Sequence, residues 1–235
     1  IIKIKNIDYI CAIFIIFSIL EFLSIDYRNL LAELDTHHEG TFLSAQLNFL
    51  AKSKIWTGTF FDYGFLGNSI GIFFHYIFDE YSIGIQRFFY KFLILINKIL
   101  IILICRKIVN SIYALNFKEV LFFLLSLSSL TLTSFYDHVI PFHPRIFLYL
   151  IFTLLIFHIS LSKKNNILIS SIIGFFSLIS ILFYWDIGTY INVLLIFFLV
   201  YIFFIKRYDV FWNIFFSIIL SWLIFYLFIS NNEFK

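Results

Sequence analysis

The sequence predicts an all-α fold, a polytopic transmembrane bundle of about seven spanning helices with one or two interfacial helices in the first outer loop. Three observations carry the prediction. Of 235 residues, 62% are hydrophobic and only 13% charged, against about 25% charged in an ordinary globular domain. The mean hydropathy is +0.97. The apolar residues also come in runs matching the roughly 20 residues a helix needs to cross the hydrocarbon core. A soluble chain of this composition lacks polar surface to cover its core, whereas lipid-facing side chains need none.

Taken in order, the spans fall at 7–25, 88–105, 119–135, 146–162, 167–184, 188–205 and 211–229. The first is followed by the one long polar segment, 26–65, which opens an outer loop over 26–87. Within that loop Phe42, Leu43, Ala45, Leu47, Phe49 and Leu50 interleave with Ser44, Gln46, Asn48 and Lys52, the pattern of a surface-lying helix over 41–52. The stretch 66–78 is short for a crossing and holds Gly67, Asn68, Gly71 and His75. If it crosses, Arg106, Lys107, Lys118, Lys163 and Lys164 fall outside. If it lies in the interface or re-enters, those residues join Lys3, Lys5, Lys206 and Arg207 on the cytoplasmic side. The positive-inside rule selects the second arrangement.

This topology predicts a cytoplasmic N-terminus in a plasma or inner membrane. The outer face receives 26–65, the loop from Tyr136 to Arg145 and the corner from Tyr184 to Gly188. Residues 1–235 read as a single transmembrane domain. The chain has no Met, and its first apolar run leads into Asp26-Tyr27-Arg28 without a small-residue cleavage site, so it is read as a piece of a longer protein. The net charge of +3 is scattered, with no basic stripe of the kind that tracks nucleic acid. Cys11 and Cys105 form no CxxC pair, which argues against a disulfide or a metal site built on them. The 35 Phe suit a coding bias and carry no functional reading.

Three clusters could carry chemistry. The densest is Asp35-Thr36-His37-His38-Glu39-Gly40, directly before the surface helix. Two carboxylates and two imidazoles at the membrane surface suit proton abstraction, phosphate binding or a divalent cation. The adjacent His37 and His38 point apart, unlike the i, i+4 pair of a zinc protease. The plainer account makes Asp35 a helix cap beside a solvated His pair. The second cluster is Asp62 and Tyr63 before Gly64, which suits substrate contact or a turn at the start of the next helix. In the third, Asp137, His138, His143 and Arg145 suit a lipid phosphate, which a guanidinium meets with paired hydrogen bonds. Interfacial anchoring of Arg145 and loop shaping by Pro141 and Pro144 explain them equally. Asp186, beside Trp185, is costly in lipid and is expected to face protein or water.

The order of a first span, an outer loop opening on an acidic residue, interfacial helices and a second span approached through an Arg (here Arg87) resembles the GT-C class of membrane glycosyltransferases. That class includes protein O-mannosyltransferases and aminoarabinose transferases. The Asp-x-His-His-Glu-Gly run and the later Asp-Tyr-Gly are similar to a bacterial subgroup of the class. The resemblance covers about the first two-fifths of the chain; beyond that only the pattern of spans is shared. Thr36 stands where many relatives have a second acidic residue, and no soluble outer domain is visible. The resemblance implies transfer of a sugar from a polyprenyl-phosphate donor to an acceptor of unknown identity. Asp35 would be the general base, and His37, His38 and Glu39 would orient acceptor or donor. Arg145, with His143 or His138, would stabilise the departing phosphate, and Asp137 would contact the acceptor or a divalent ion. Membrane lipids are the other expected partners. The rivals are a non-catalytic assembly subunit and a transporter. Transport sites usually lie near the midplane, and the near absence of charge from the spans argues against one.

Overall fold

The computed structural model describes residues 6–24, 38–52, 64–68, 72–73, 76–77, 83–112, 117–134, 142–162 and 166–232. Among them all regular structure is helical: α1 (Asn6–Leu23), α2 (His38–Lys52), α3 (Phe65–Asn68), α4 (Ile83–Ser111), α5 (Lys118–Ser134), α6 (Phe142–Leu161), α7 (Ile167–Phe183), α8 (Trp185–Phe204) and α9 (Tyr208–Asn232). A helix stands at each of the seven predicted apolar stretches. Four of the described helices, α1, α4, α8 and α9, are long and apolar enough to cross a membrane. The apolar stretches Arg145–Leu161 and Ile167–Phe183 are shorter. The chain is therefore a helical membrane protein.

The largest departure from expectation is α4, predicted over 88–105 and observed as 29 residues from Ile83. Hydropathy falls at Gln86, Arg87, Arg106 and Lys107, but all four are good helix formers, and the Arg and Lys stems can reach polar surroundings from a helical backbone. The apolar run therefore ends before the helix does. In α6 the opposite risk is avoided, because Pro144 lies in the first turn, where its missing N–H breaks no helical bond.

Two compact units divide the chain, Ile1–Leu31 with Arg87–Leu161 and Ala32–Gln86 with Ser162–Lys235. In the first, Ile7 and Cys11 of α1, Ile101, Ile102, Cys105 and Val109 of α4, and Phe122 of α5 form a buried cluster. Phe14 meets the edge of Phe122, with ring centres 6.4 Å apart. Helices α1 and α4 run antiparallel, since Phe22 meets Phe88 while Asp8 meets Arg106.

In the second unit α7, α8 and α9 run up, down and up. Tyr184 alone joins α7 to α8, in an extended conformation (φ −148°, ψ 109°). Lys206, with φ 58°, lies in the turn from α8 to α9. The helices approach closely at glycines. A Cβ on Gly188 would lie 2.4 Å from the Ile181 backbone, and one on Gly174 would lie 2.6 Å from the Ile214 carbonyl oxygen. Ser170, Gly174 and Ser177 on α7 and Ser217 and Ser221 on α9 are all buried, the small-residue spacing that lets backbones pack in lipid.

Candidate functional site

Of the residues singled out by sequence, Asp35, His37, Asp62, Tyr63, Asp137 and His138 lie outside the described residues. His38 opens α2 and His143 falls in the first turn of α6, with their side chains outside the described set. Glu39, in the first turn of α2, is 4% exposed. A carboxylate there lies at the positive end of the helix dipole, which offsets part of its burial cost. Arg145 is half-buried in the first unit. Asp186 is half-buried at the start of α8, where its carboxylate accepts a hydrogen bond from the Ile187 N–H at 2.8 Å.

The second unit brings part of the predicted outer face together. Gly64, with φ 141°, has a backbone conformation that side-chain-bearing residues rarely adopt. A Cβ there would lie 2.6 Å from the Phe183 carbonyl oxygen, and one on Gly67 would lie 2.7 Å from the Tyr184 ring. The glycines thus seat α3 against the turn from α7 to α8. Phe49 of α2 meets Phe65 of α3 edge-on at 5.5 Å. So α3, which lies in the predicted outer loop, docks on the corner that carries Asp186. Tyr184 is fully buried at this corner. Its N–H donates to the Ser180 carbonyl (3.0 Å), and its own carbonyl accepts from Gly188 (2.7 Å). Lys206 and Arg207 lie at the opposite end of α8.

The described residues also hold polar groups inside the helices that the sequence reading passed over. In the first unit Lys98, whose side chain is 6% exposed, pairs with Glu21 at 2.6 Å. Asp8 and Arg106 pair at 2.6 Å, both partly exposed. Lys107 Nζ lies 3.3 Å from His158 Nδ1. In the second unit Asn192 Nδ2 donates to the carbonyls of Ser177 (2.9 Å) and Gly188 (2.8 Å), and Trp222 Nε1 donates to Ser177 Oγ (3.1 Å). The spans are thus less free of charge than the argument against transport assumes. The signal was present, since an ionisable residue within an apolar helix is a functional candidate by default. Averaging over 18 or 20 positions hides a single Lys. Among the described residues no three His, Cys, Asp or Glu side chains come together to hold a metal ion.

No family model, curated protein or solved structure matches the chain.

Proposed function

We propose that the chain is a membrane glycosyltransferase of the GT-C type, transferring a sugar from a polyprenyl phosphate to an acceptor at the outer membrane face. Asp35 is the general base on this reading. It takes the acceptor proton as the acceptor oxygen bonds to the anomeric carbon and the lipid phosphate departs. A carboxylate suffices because proton removal accompanies bond formation and need not precede it. Glu39, with His37 and His38, orients acceptor or donor, and Asp186 faces the acceptor. All seven apolar helices cross, the N-terminus is cytoplasmic, and the protein resides in a plasma or inner membrane.

The observation that supports this reading is the docking of α3. Gly64 and Gly67 belong to the loop that carries Asp35, and they pack on Phe183 and Tyr184, next to Asp186. Gly64 and α3, within the predicted outer loop, then share one end of the three-helix unit with Asp186, away from Lys206 and Arg207. A site at the membrane surface also suits the donor, whose lipid tail stays in the bilayer while its phosphate reaches the surface.

The test is transfer of radiolabelled sugar from polyprenyl phosphate in membranes containing the full chain. Asp35→Asn is expected to lower the rate by about 100-fold or more, the usual contribution of a general base, at unchanged protein level. Equal transfer by both forms would exclude Asp35 as the base, and no transfer by the unaltered chain would remove the enzyme reading itself.

A further inference from the structure

We propose that the first unit holds a specific site for an anionic phospholipid, with Lys91 of α4 binding the headgroup phosphodiester. The site is a partly open cavity of about 90 Å³ between α1 and α4, lined by Ser18, Glu21, Phe22, Lys91 and Lys98. That is about three times the 30 Å³ share of one water, room for a phosphate group. The inference does not require the transferase reading, although both place a phosphate-bearing lipid at the protein.

Charge comes first. Glu21 and Lys98 neutralise each other at 2.6 Å. Lys91 lines the same cavity, is half-buried, and makes no ion pair among the described residues. Among its described lining residues the cavity therefore carries one uncompensated positive charge within an apolar helix, where an ammonium is costly until an anion joins it. A phosphodiester carries a single negative charge and matches it. A phosphomonoester, with about −1.5 to −2, exceeds it.

Depth and shape agree. With Arg106 at one boundary, about 20 residues at 1.5 Å each bring α4 across the hydrocarbon core to near residue 86. Lys91 then lies about 8 Å inside the opposite boundary by the same rise, within reach of the phosphate layer for a side chain that extends outward. Beside the polar cavity lies a second one of about 310 Å³ that shares Ser18, Glu21 and Lys98 and continues along Phe14, Phe17 and Leu130. Phe17 is 65% exposed, so this groove opens toward the bilayer. A polar pocket with a positive charge, continuous with an apolar groove open to lipid, fits an amphiphile and not a free ion.

The experiment is native mass spectrometry of the full chain released from nanodiscs, supplied in turn with phosphatidylglycerol, phosphatidylcholine, a prenyl phosphate or inorganic phosphate. Phosphatidylglycerol is expected to be retained best, with retention falling about tenfold in Lys91→Gln, the loss of one charge-assisted contact, and recovering in Lys91→Arg. Lys118→Gln, at the start of α5, should leave retention unchanged. Equal retention in Lys91→Gln and the unaltered chain would overturn the site, and so would an equal loss in Lys118→Gln, which reports surface attraction alone. Stronger retention of the prenyl phosphate would overturn the phosphodiester assignment. Displacement of the lipid by inorganic phosphate at equal concentration would show that the groove contributes nothing, and the lipid assignment would fall. Because the readout is binding, failure here leaves the transfer assay untouched.

Discussion

The two units hold apolar helices together by different means. In the first, α1 and α4 are pinned by the Glu21–Lys98 and Asp8–Arg106 pairs on either side of an aliphatic and aromatic cluster. In the second, no ion pair among the described residues joins α7, α8 and α9. Gly174 and Gly188 bring the backbones together, and Ser177, Asn192 and Trp222 share hydrogen bonds. Lipid tails are as apolar as Leu, so hydrophobic burial does not hold one membrane helix to another. Each unit therefore needs something else, charge in one and close contact in the other. The difference predicts that the first tolerates changes of volume and not of charge, and the second the reverse.

The sharpest way to break the comparison is Gly188→Val. A branched side chain where a Cβ already meets backbone at 2.4 Å forces α7 and α8 apart. Overpacking of this kind costs about 3 kcal/mol, at the upper end of its usual range because the obstacle is main chain. Thermal unfolding in detergent should show it, and an unchanged midpoint would mean that the helices are not in contact there.

Next in size is Glu21→Gln, which strands the buried Lys98 ammonium. Losing one partner of a fully buried pair costs about 3–5 kcal/mol, but Glu21 is more than half exposed, so about 2 kcal/mol is expected. The double change Glu21→Leu with Lys98→Met should recover most of that loss, because it removes the stranded charge with its partner. If the double change is as damaging as the single one, the pair itself supplies stability.

The smallest effect belongs to Asn192→Leu, which removes three Asn192 hydrogen bonds, two of them to Ser177 across the helix interface. Hydrogen bonds between membrane helices average about 0.6 kcal/mol, so a loss near 1 kcal/mol is expected by the same unfolding assay. A loss as large as that of Gly188→Val would make the polar network, and not backbone proximity, the main tie of this unit.

What the sequence made legible follows from what hydropathy averages can detect. The seven apolar runs each became a helix, and the corner expected at 184–188 is the turn at Tyr184. The amphipathic pattern over 41–52 became α2, which starts three residues earlier at His38. The length of α4 was missed because a helix continues through Arg and Lys where an apolar run stops. Lys91, Lys98 and Glu21 were overlooked for the complementary reason, since one charge barely moves the mean of a Leu- and Ile-rich window. Pairing is a different kind of information. Nothing local in Glu21 or Lys98 says that residues 77 positions apart meet at 2.6 Å. The seating of Gly64 and Gly67 on Phe183 and Tyr184 was equally invisible, although Gly64 was expected to turn the chain sharply, and its φ of 141° shows the unusual backbone that glycine permits.

The single-residue connection between α7 and α8 bears on how the chain is made. A linker of several residues lets a translocation channel release one helix into lipid while the next waits in water. Tyr184 leaves no such slack, and its carbonyl is already bonded to Gly188 in the first turn of α8. If both helices cross, the pair is expected to enter lipid together, and a ribosome stalled between them would hold a segment of 17 residues without the neighbour against which Gly188 packs it.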